Sequence, residues 1–186
     1  MKIIFIVPCF NAEKNLDKLV ASITSQEDDR WECVLINDIS SDDTWLKIQS
    51  ICENNEKFTG INNDDKKFAL KNIVEASRNY ENDDKIVIGV IDGDDQLCND
   101  KTVSIVLDEY EKGSDVVWTA HKWDINGMNI SKAMPDNVDP YQWPWCSSHF
   151  RTFKCNLLKR VKDINFQDTN GKWFERGYDQ ALMLPL

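Results

Sequence analysis

Four residues near the middle of the chain, Asp92-Gly93-Asp94-Asp95, place three carboxylates on one short turn. Mg²⁺ and Mn²⁺ prefer oxygen ligands, and carboxylates one residue apart on a tight turn can converge on one ion. Gly93 is expected to let the backbone turn sharply there. An ion held in this way would neutralise the charge of a diphosphate and stabilise it as a leaving group. The bland alternative is a solvated acidic turn, which an isolated acidic triplet would favour. A calcium loop starting at Asp92 is excluded, since its sixth position is Leu97 rather than Gly and its twelfth is Val103 rather than Glu.

Three other segments carry candidate chemistry. Pro8-Cys9-Phe10-Asn11-Ala12-Glu13 offers an aromatic ring that could stack on a base. Taken alone, it is better explained by Pro8 ending a strand, Asn11 capping a helix and Glu13 serving the helix dipole. Asp38 follows an apolar run and could accept hydrogen bonds from a base imide or a ribose hydroxyl, or could simply form a turn; Ser40, Ser41 and Asp42 after it offer helix caps. Near the C-terminus, Asp179 could serve as a general base or be an N-terminal helix carboxylate, and Arg176 could meet phosphate or pair with an acid. His149, Arg151 and Lys154 form the most basic patch of the chain and are candidate contacts for an acceptor or for phosphates.

The elements that must position these residues follow from periodicity. Lys2–Val7, Trp31–Ile36, Phe58–Ile61, Lys85–Ile91 and Asp115–Thr119 read as strands, with Lys85–Ile91 the strongest. Between them, Leu16, Leu19, Val20 and Ile23 share one helical face. Trp45, Ile48, Ile51 and Cys52 share a second, and Leu70, Ile73, Val74 and Ser77 a third. Asn99 caps a further helix through Glu111. Residues 120–148 read as irregular, with a hairpin around Asn126-Gly127, followed by helices from Phe150 to Val161 and from Tyr178. Strand–helix alternation implies a mostly parallel sheet covered by helices on both faces, a three-layer α/β/α arrangement. Ligands of such sheets bind beyond the carboxyl ends of the strands, which is where Pro8–Asn11, Asn37–Asp42 and Asp92–Asp95 stand.

Composition narrows the function. The chain has 186 residues, 41% of them apolar and 10% aromatic, which suits one globular domain. Its 22 basic and 32 acidic residues give a formal charge of −10, so no nucleic-acid partner is expected and an anionic substrate needs a bridging cation. No apolar run approaches the roughly 20 residues that span a bilayer. The N-terminal run is too short, and too soon ended by Pro8, for a signal peptide. The six dispersed cysteines then read as reduced thiols of a cytoplasmic protein, without a zinc site.

Taken in order and at these spacings, the motifs resemble those of the nucleotide-sugar glycosyltransferases of the GT-A fold, in particular the inverting glycosyltransferase family 2. The opening strand and V-P-x-[YF]-N-x-E segment of that family is matched by Val7 to Glu13. Its D-[GD]-S-x-D-x-[ST] segment is matched by Asp38 to Thr44, with Ile39 at the usual small or acidic position. Its D-x-D-D motif is matched by Asp92 to Asp95, and its A-x-N segment, loosely, by Ala69 to Asn72.

The resemblance implies a Rossmann-like GT-A domain over residues 1–186, with a nucleotide-binding half (1–97) and an acceptor-side half (about 98–186). Pro8, Phe10, Asn11, Glu13 and Asp38 are implied in nucleoside binding. Asp92, Gly93 and Asp94 are implied at the metal and nucleotide, with Asp94 the direct ligand of Mn²⁺ or Mg²⁺ and Asp95 assisting. Asp179 is implied as the base that deprotonates an acceptor hydroxyl, although Tyr178 stands where the family usually shows Glu. The implied partners are a nucleotide-diphosphate sugar, with UDP-sugars first by analogy, and a glycan, lipid or protein acceptor. The family often adds a later His or Arg beyond the point where this chain stops, so a compact variant or catalytic fragment is expected. A non-catalytic nucleotide-sugar-binding domain is the main alternative. A sugar nucleotidyltransferase is less fitting, because the loop after the first strand lacks the G-x-G-x-R pattern.

Overall fold

In the computed structural model, which describes every residue except Ile130, Asp136 and Ser148, the first strand is β1 (Lys2–Cys9). Ile3 to Val7 are all fully buried, so both faces of β1 are covered and it must lie inside the sheet. It is followed by α1 (Leu16–Thr24), β2 (Trp31–Asn37), α2 (Thr44–Asn54), β3 (Phe58–Asn62), α3 (Phe68–Arg78), β4 (Ile86–Val90), α4 (Thr102–Glu111) and β5 (Val116–Trp118). The last elements are β6 (Arg151–Lys154), two 3₁₀ turns (Cys155–Arg160 and Asp163–Phe166) and α5 (Tyr178–Met183).

One six-stranded sheet runs in the order β3-β2-β1-β4-β6-β5. The pairs β1–β2, β1–β4 and β2–β3 are parallel, while β6 lies antiparallel between β4 and β5. On one face Leu16, Leu19 and Ile23 of α1, Ile48 of α2 and Val103, Val106 and Leu107 of α4 pack on Ile3, Phe5 and Val7. On the other, Leu70, Ile73 and Val74 of α3 and Leu182 of α5 pack on Ile4, Ile6 and Ile88, with Phe153 and Phe166 between. Helices on both faces give the expected three layers. No helix among the described residues is long and apolar enough to cross a membrane. All six cysteines are unpaired, and four of them are buried.

Two local expectations are corrected and a third is sharpened. The helix expected over Phe150–Val161 is a strand followed by a 3₁₀ turn. Phe150, Phe153, Leu157 and Leu158 fit a helical spacing, but alternation with period 2 decides the outcome. Thr152 faces α4, sharing a 2.7 Å hydrogen bond with Tyr110 and donating to the Val117 carbonyl, whereas Arg151 and Phe153 face α5 and α3. Asn11 does not cap α1, which starts at Leu16. Its backbone is left-handed (φ 51°), and its side-chain oxygen accepts from the Ser41 N–H at 2.8 Å. Gly93 stands in the expected tight turn, closed by the Asp95 N–H to the Asp92 carbonyl at 3.0 Å, but without a left-handed backbone; the pressure on it is packing, since a Cβ there would lie 3.2 Å from the Ala12 Cβ and the Pro8 carbonyl oxygen. The expected hairpin survives as one tight turn, with Trp123 and Met128 joined through the Trp123 N–H at 3.1 Å.

Candidate active site

The carboxyl ends of β1 and β2 are stitched together by their loops. The N–H groups of Asn11, Ala12 and Glu13 donate to Ser40 Oγ (3.0 Å), Thr44 Oγ1 (2.8 Å) and Asp42 Oδ2 (3.2 Å). None of the three residues expected to cap α2 stands at its N-cap, which is Asp43: Asp42, one residue earlier, accepts from the Thr44 N–H, while Ser40 and Ser41 bind the Asn11 loop. Pro8 does not end β1, which continues through it to Cys9 in register with Ile36 and Asn37; the Pro8 carbonyl lies under Gly93, and Glu13 sits half-buried at this seam.

Asp38 is buried beside the seam. It accepts from Asn63 Nδ2 (2.8 Å) and from the N–H groups of Lys67 (2.8 Å) and Phe68 (2.9 Å). Burial alone would raise its pKa; those hydrogen bonds outweigh it and hold the carboxyl below its ordinary value. Asp38 thereby fixes the loop before α3, where Phe68 has a left-handed backbone (φ 61°). Phe68 and Phe10 both remain exposed, Phe10 by 55%, and the Lys66 ammonium lies over the Phe10 ring, 2.9 Å from its centroid. Ile39 is left-handed as well (φ 60°), so with Asn11 and Phe68 three non-glycine residues with left-handed backbones stand in the segments that follow β1, β2 and β3. Two exposed rings beside a cation can take a planar heterocycle, one of them on a segment that the buried Asp38 carboxylate holds in place.

The second part of the site forms where β6 meets β4. Val90 lies opposite Arg151, so extending the antiparallel register by two residues brings His149 level with Asp92. His149 Nδ1 lies 3.2 Å from Asp95 Oδ2 and 3.8 Å from Asp92 Oδ2, and ligand atoms of the three residues fall within 4.8 Å of one another. Atoms sharing one octahedral ion at about 2.1 Å are about 3 Å apart when adjacent and about 4 Å when opposite, so these three residues could hold a small divalent cation. Burial pushes the Asp95 carboxyl up, and the nearby Asp92 and Asp94 charges add to that while His149 opposes it. Such crowding is what a cation relieves. Asp94 is exposed and, with Asp95, His149, His121 and Trp123, lines a cleft of about 820 Å³.

Behind this group, Arg151 is fully buried. Its Nη1 lies 2.7 Å from Asp179 Oδ1, off the axis of an aligned hydrogen bond, and its Nη2 donates to the Tyr178 hydroxyl at 2.8 Å. The Tyr178 hydroxyl donates in turn to Asp92 Oδ1. Burial, then the Asp92 charge, push this phenol well above its usual range, so it stays a donor.

The structure therefore brings Asp92, His149, Arg151 and Asp179 into one network and sets Pro8, Phe10, Asn11, Glu13 and Asp38 together at the neighbouring strand ends. Arg151 is enclosed rather than presented to an acceptor. Arg176 is exposed and lines a separate open depression with Tyr141, Phe174 and Gln180. Sequence reasoning missed Lys66 and Phe68 as a platform and the pairing of Asp95 with His149. A basic and aromatic loop ahead of the Ala69–Asn72 segment was the available signal for the first. The second depends on a strand pairing across 54 residues (95 to 149).

The family model described as Glycosyl transferase family 2 matches residues 4–166. Compared by sequence with curated proteins, the chain finds no match. Among solved structures it is similar to residues 1–349 of TarS from S. aureus in complex with UDP, with a TM-score of 0.73 and 22% identity over 97% of this chain and 53% of that one. The same protein in complex with UDP-GlcNAc gives 0.68 and 23% over 86% and 47%. The mannosyltransferase PcManGT from Pyrobaculum calidifontis, in complex with GDP-Man and Mn²⁺, gives 0.64 and 16% over 86% and 46%. The chain thus spans about half the length of the structures it matches, and shares their GT-A fold. With the family model covering most of its length, the chain belongs to glycosyl transferase family 2.

Proposed function

We propose that the chain is a metal-dependent, inverting glycosyltransferase that moves a sugar from a nucleotide-diphosphate sugar to an acceptor hydroxyl. The observation that carries this is the convergence of Asp92, Asp95 and His149 on one cation-sized space, beside a carboxylate, Asp179, whose place is fixed by a buried arginine. The solved relatives bound to UDP, UDP-GlcNAc and GDP-Man support the donor class, and the one bound to Mn²⁺ supports the ion.

In this function, Phe10 and Phe68 stack on the base and Lys66 moves off the Phe10 ring to admit it. Asp38 holds the loop that carries Phe68 and faces the nucleoside. Asp92, Asp95 and His149 would hold Mn²⁺ or Mg²⁺, with Asp94 completing the acidic surface toward the diphosphate. The ion, when bound, neutralises the departing nucleoside diphosphate. Asp179 accepts the proton of the attacking acceptor hydroxyl, and a single displacement inverts the anomeric centre. The donor elements come from residues 1–97, while His149 and Asp179 come from the second half of the chain.

The test is release of nucleoside diphosphate from a panel of nucleotide sugars, with Mn²⁺ and with EDTA, for wild type and Asp179→Asn. The expected result is metal-dependent release that Asp179→Asn abolishes while UDP binding persists. Binding without release by the wild type would make the chain a non-catalytic sugar-nucleotide-binding domain instead.

A further inference from the structure

Arg151 stands out among the charged residues because it is fully buried yet reaches both halves of the chemistry. One Nη contacts Asp179 at 2.7 Å, and the other donates to Tyr178 at 2.8 Å and lies 3.9 Å from Asp92 Oδ2. The Tyr178 ring packs against the guanidinium, with the Arg151 Cζ 5.1 Å from its centroid, and the Tyr178 hydroxyl is spent on Asp92. The same Nη2 lies 3.4 Å from His149 Nδ1. A guanidinium is planar and forked, so its two arms reach two partners at one relative orientation, here Asp179 as an ion pair and Tyr178 by a hydrogen bond, which the single ammonium of a lysine cannot do. The arginine is itself fixed by its place on β6, between two hydrogen-bonded neighbours in the sheet.

We infer that Arg151 is a positioning residue that sets Asp179 and the metal-side carboxylate Asp92 relative to one another, directly at the first and through the Tyr178 hydroxyl at the second. It touches neither donor nor acceptor. Tyr178 is the link that makes the one guanidinium serve both groups. Without it, Asp92 would lose the hydrogen bond to its Oδ1 that fixes its orientation relative to the guanidinium. The inference rests on the transferase function proposed above.

The two ends are read by two different quantities: kcat reports the placement of Asp179, and the midpoint of Mn²⁺ binding, followed by electron paramagnetic resonance of the free ion, reports that of Asp92. The enzyme is assayed with UDP-glucose, UDP-GlcNAc and GDP-mannose as donors, and Arg151→Lys, Tyr178→Phe and Asp179→Asn are compared with wild type. Arg151→Lys is expected to lower kcat by about tenfold or more and to raise the Mn²⁺ midpoint by about threefold or more. Asp179→Asn is expected to lower kcat and leave the midpoint in place. Tyr178→Phe, which removes one oxygen, is expected to keep its melting temperature within a few degrees and to raise the midpoint. Should Arg151→Lys fail to fold, Tyr178→Phe decides the matter. Wild-type values for either variant, or a shift of kcat alone in Arg151→Lys, would overturn the inference while leaving the transferase function standing. If wild type consumes none of the donors, or Asp179→Asn transfers as well as wild type, the proposed function itself fails.

Discussion

Replacing His149 with alanine tests the composition of the ion site. Its Nδ1 lies 3.2 Å from Asp95 Oδ2 and 3.8 Å from Asp92 Oδ2, the spacing of ligands sharing one ion, and its side chain is about one-third exposed, so the site stays open to solvent and substrate. Alanine removes one of the three proposed protein ligands and leaves the carboxylates. Changes to groups that merely support metal ligands cost about 10–100-fold in affinity, and loss of a ligand should cost at least that. Imidazole also suits transition ions better than Mg²⁺, whereas carboxylates alone do not make that distinction strongly. Mn²⁺ affinity, followed by electron paramagnetic resonance of the free ion, should therefore fall at least about tenfold in His149→Ala, and Mg²⁺ affinity should fall less. The preference for Mn²⁺ over Mg²⁺ should shrink with it. Unchanged Mn²⁺ affinity in a folded His149→Ala protein would remove the imidazole from the site and refute the reasoning built on the β4–β6 register.

Three further outcomes follow from the same structure. Phe10→Ala removes one exposed ring of the proposed base platform; stacking of a base on an aromatic is worth about 1–3 kcal/mol, so the Kd for UDP should rise about 5–150-fold by calorimetry while the melting temperature holds. Gly89→Ala puts a Cβ 2.6 Å from Phe150 Cζ, inside a core where Phe150 also packs on Phe5; overpacking of this kind costs about 1–3 kcal/mol in denaturant unfolding. Asp38 has a folded-state pKa below its unfolded value, so its contribution to stability is present above about pH 3.9 and is lost as pH falls through the folded value. Asp38→Asn should therefore be less stable at neutral pH and lose less stability on acidification than wild type, as measured by thermal melts between pH 7 and pH 3.

Much of the fold was legible because its central strands are continuous apolar runs and its helices carry clean apolar faces. Ile3–Val7 and Leu16, Leu19 and Ile23 required no tertiary knowledge. The strand at Arg151–Lys154 was not legible, because a four-residue segment bounded by phenylalanines and leucines fits either period, and only its insertion between β4 and β5 decides. The acidic turn was legible as a motif, whereas its partner His149 depends on that same insertion. Asn11 was assigned a cap and Gly93 a turn; Asn11 instead joins two loops, and Gly93 stands in its turn packed against the loop after β1, contacts that single-chain patterns do not report. Lys66 lies on a loop, and Phe68 at the start of α3, in a stretch whose shape depends on hydrogen bonds to Asp38 from two successive backbone N–H groups.

The central claim, that a divalent ion at the Asp92–Asp95 turn joins the protein to a nucleoside diphosphate, is met most directly by calorimetric titration of UDP and GDP in Mn²⁺ and in EDTA. The account predicts that at least one of them binds about tenfold or more tightly with Mn²⁺, and that Asp92→Asn removes this gain. Equal affinity with and without the ion, or no binding of either nucleotide, would contradict it.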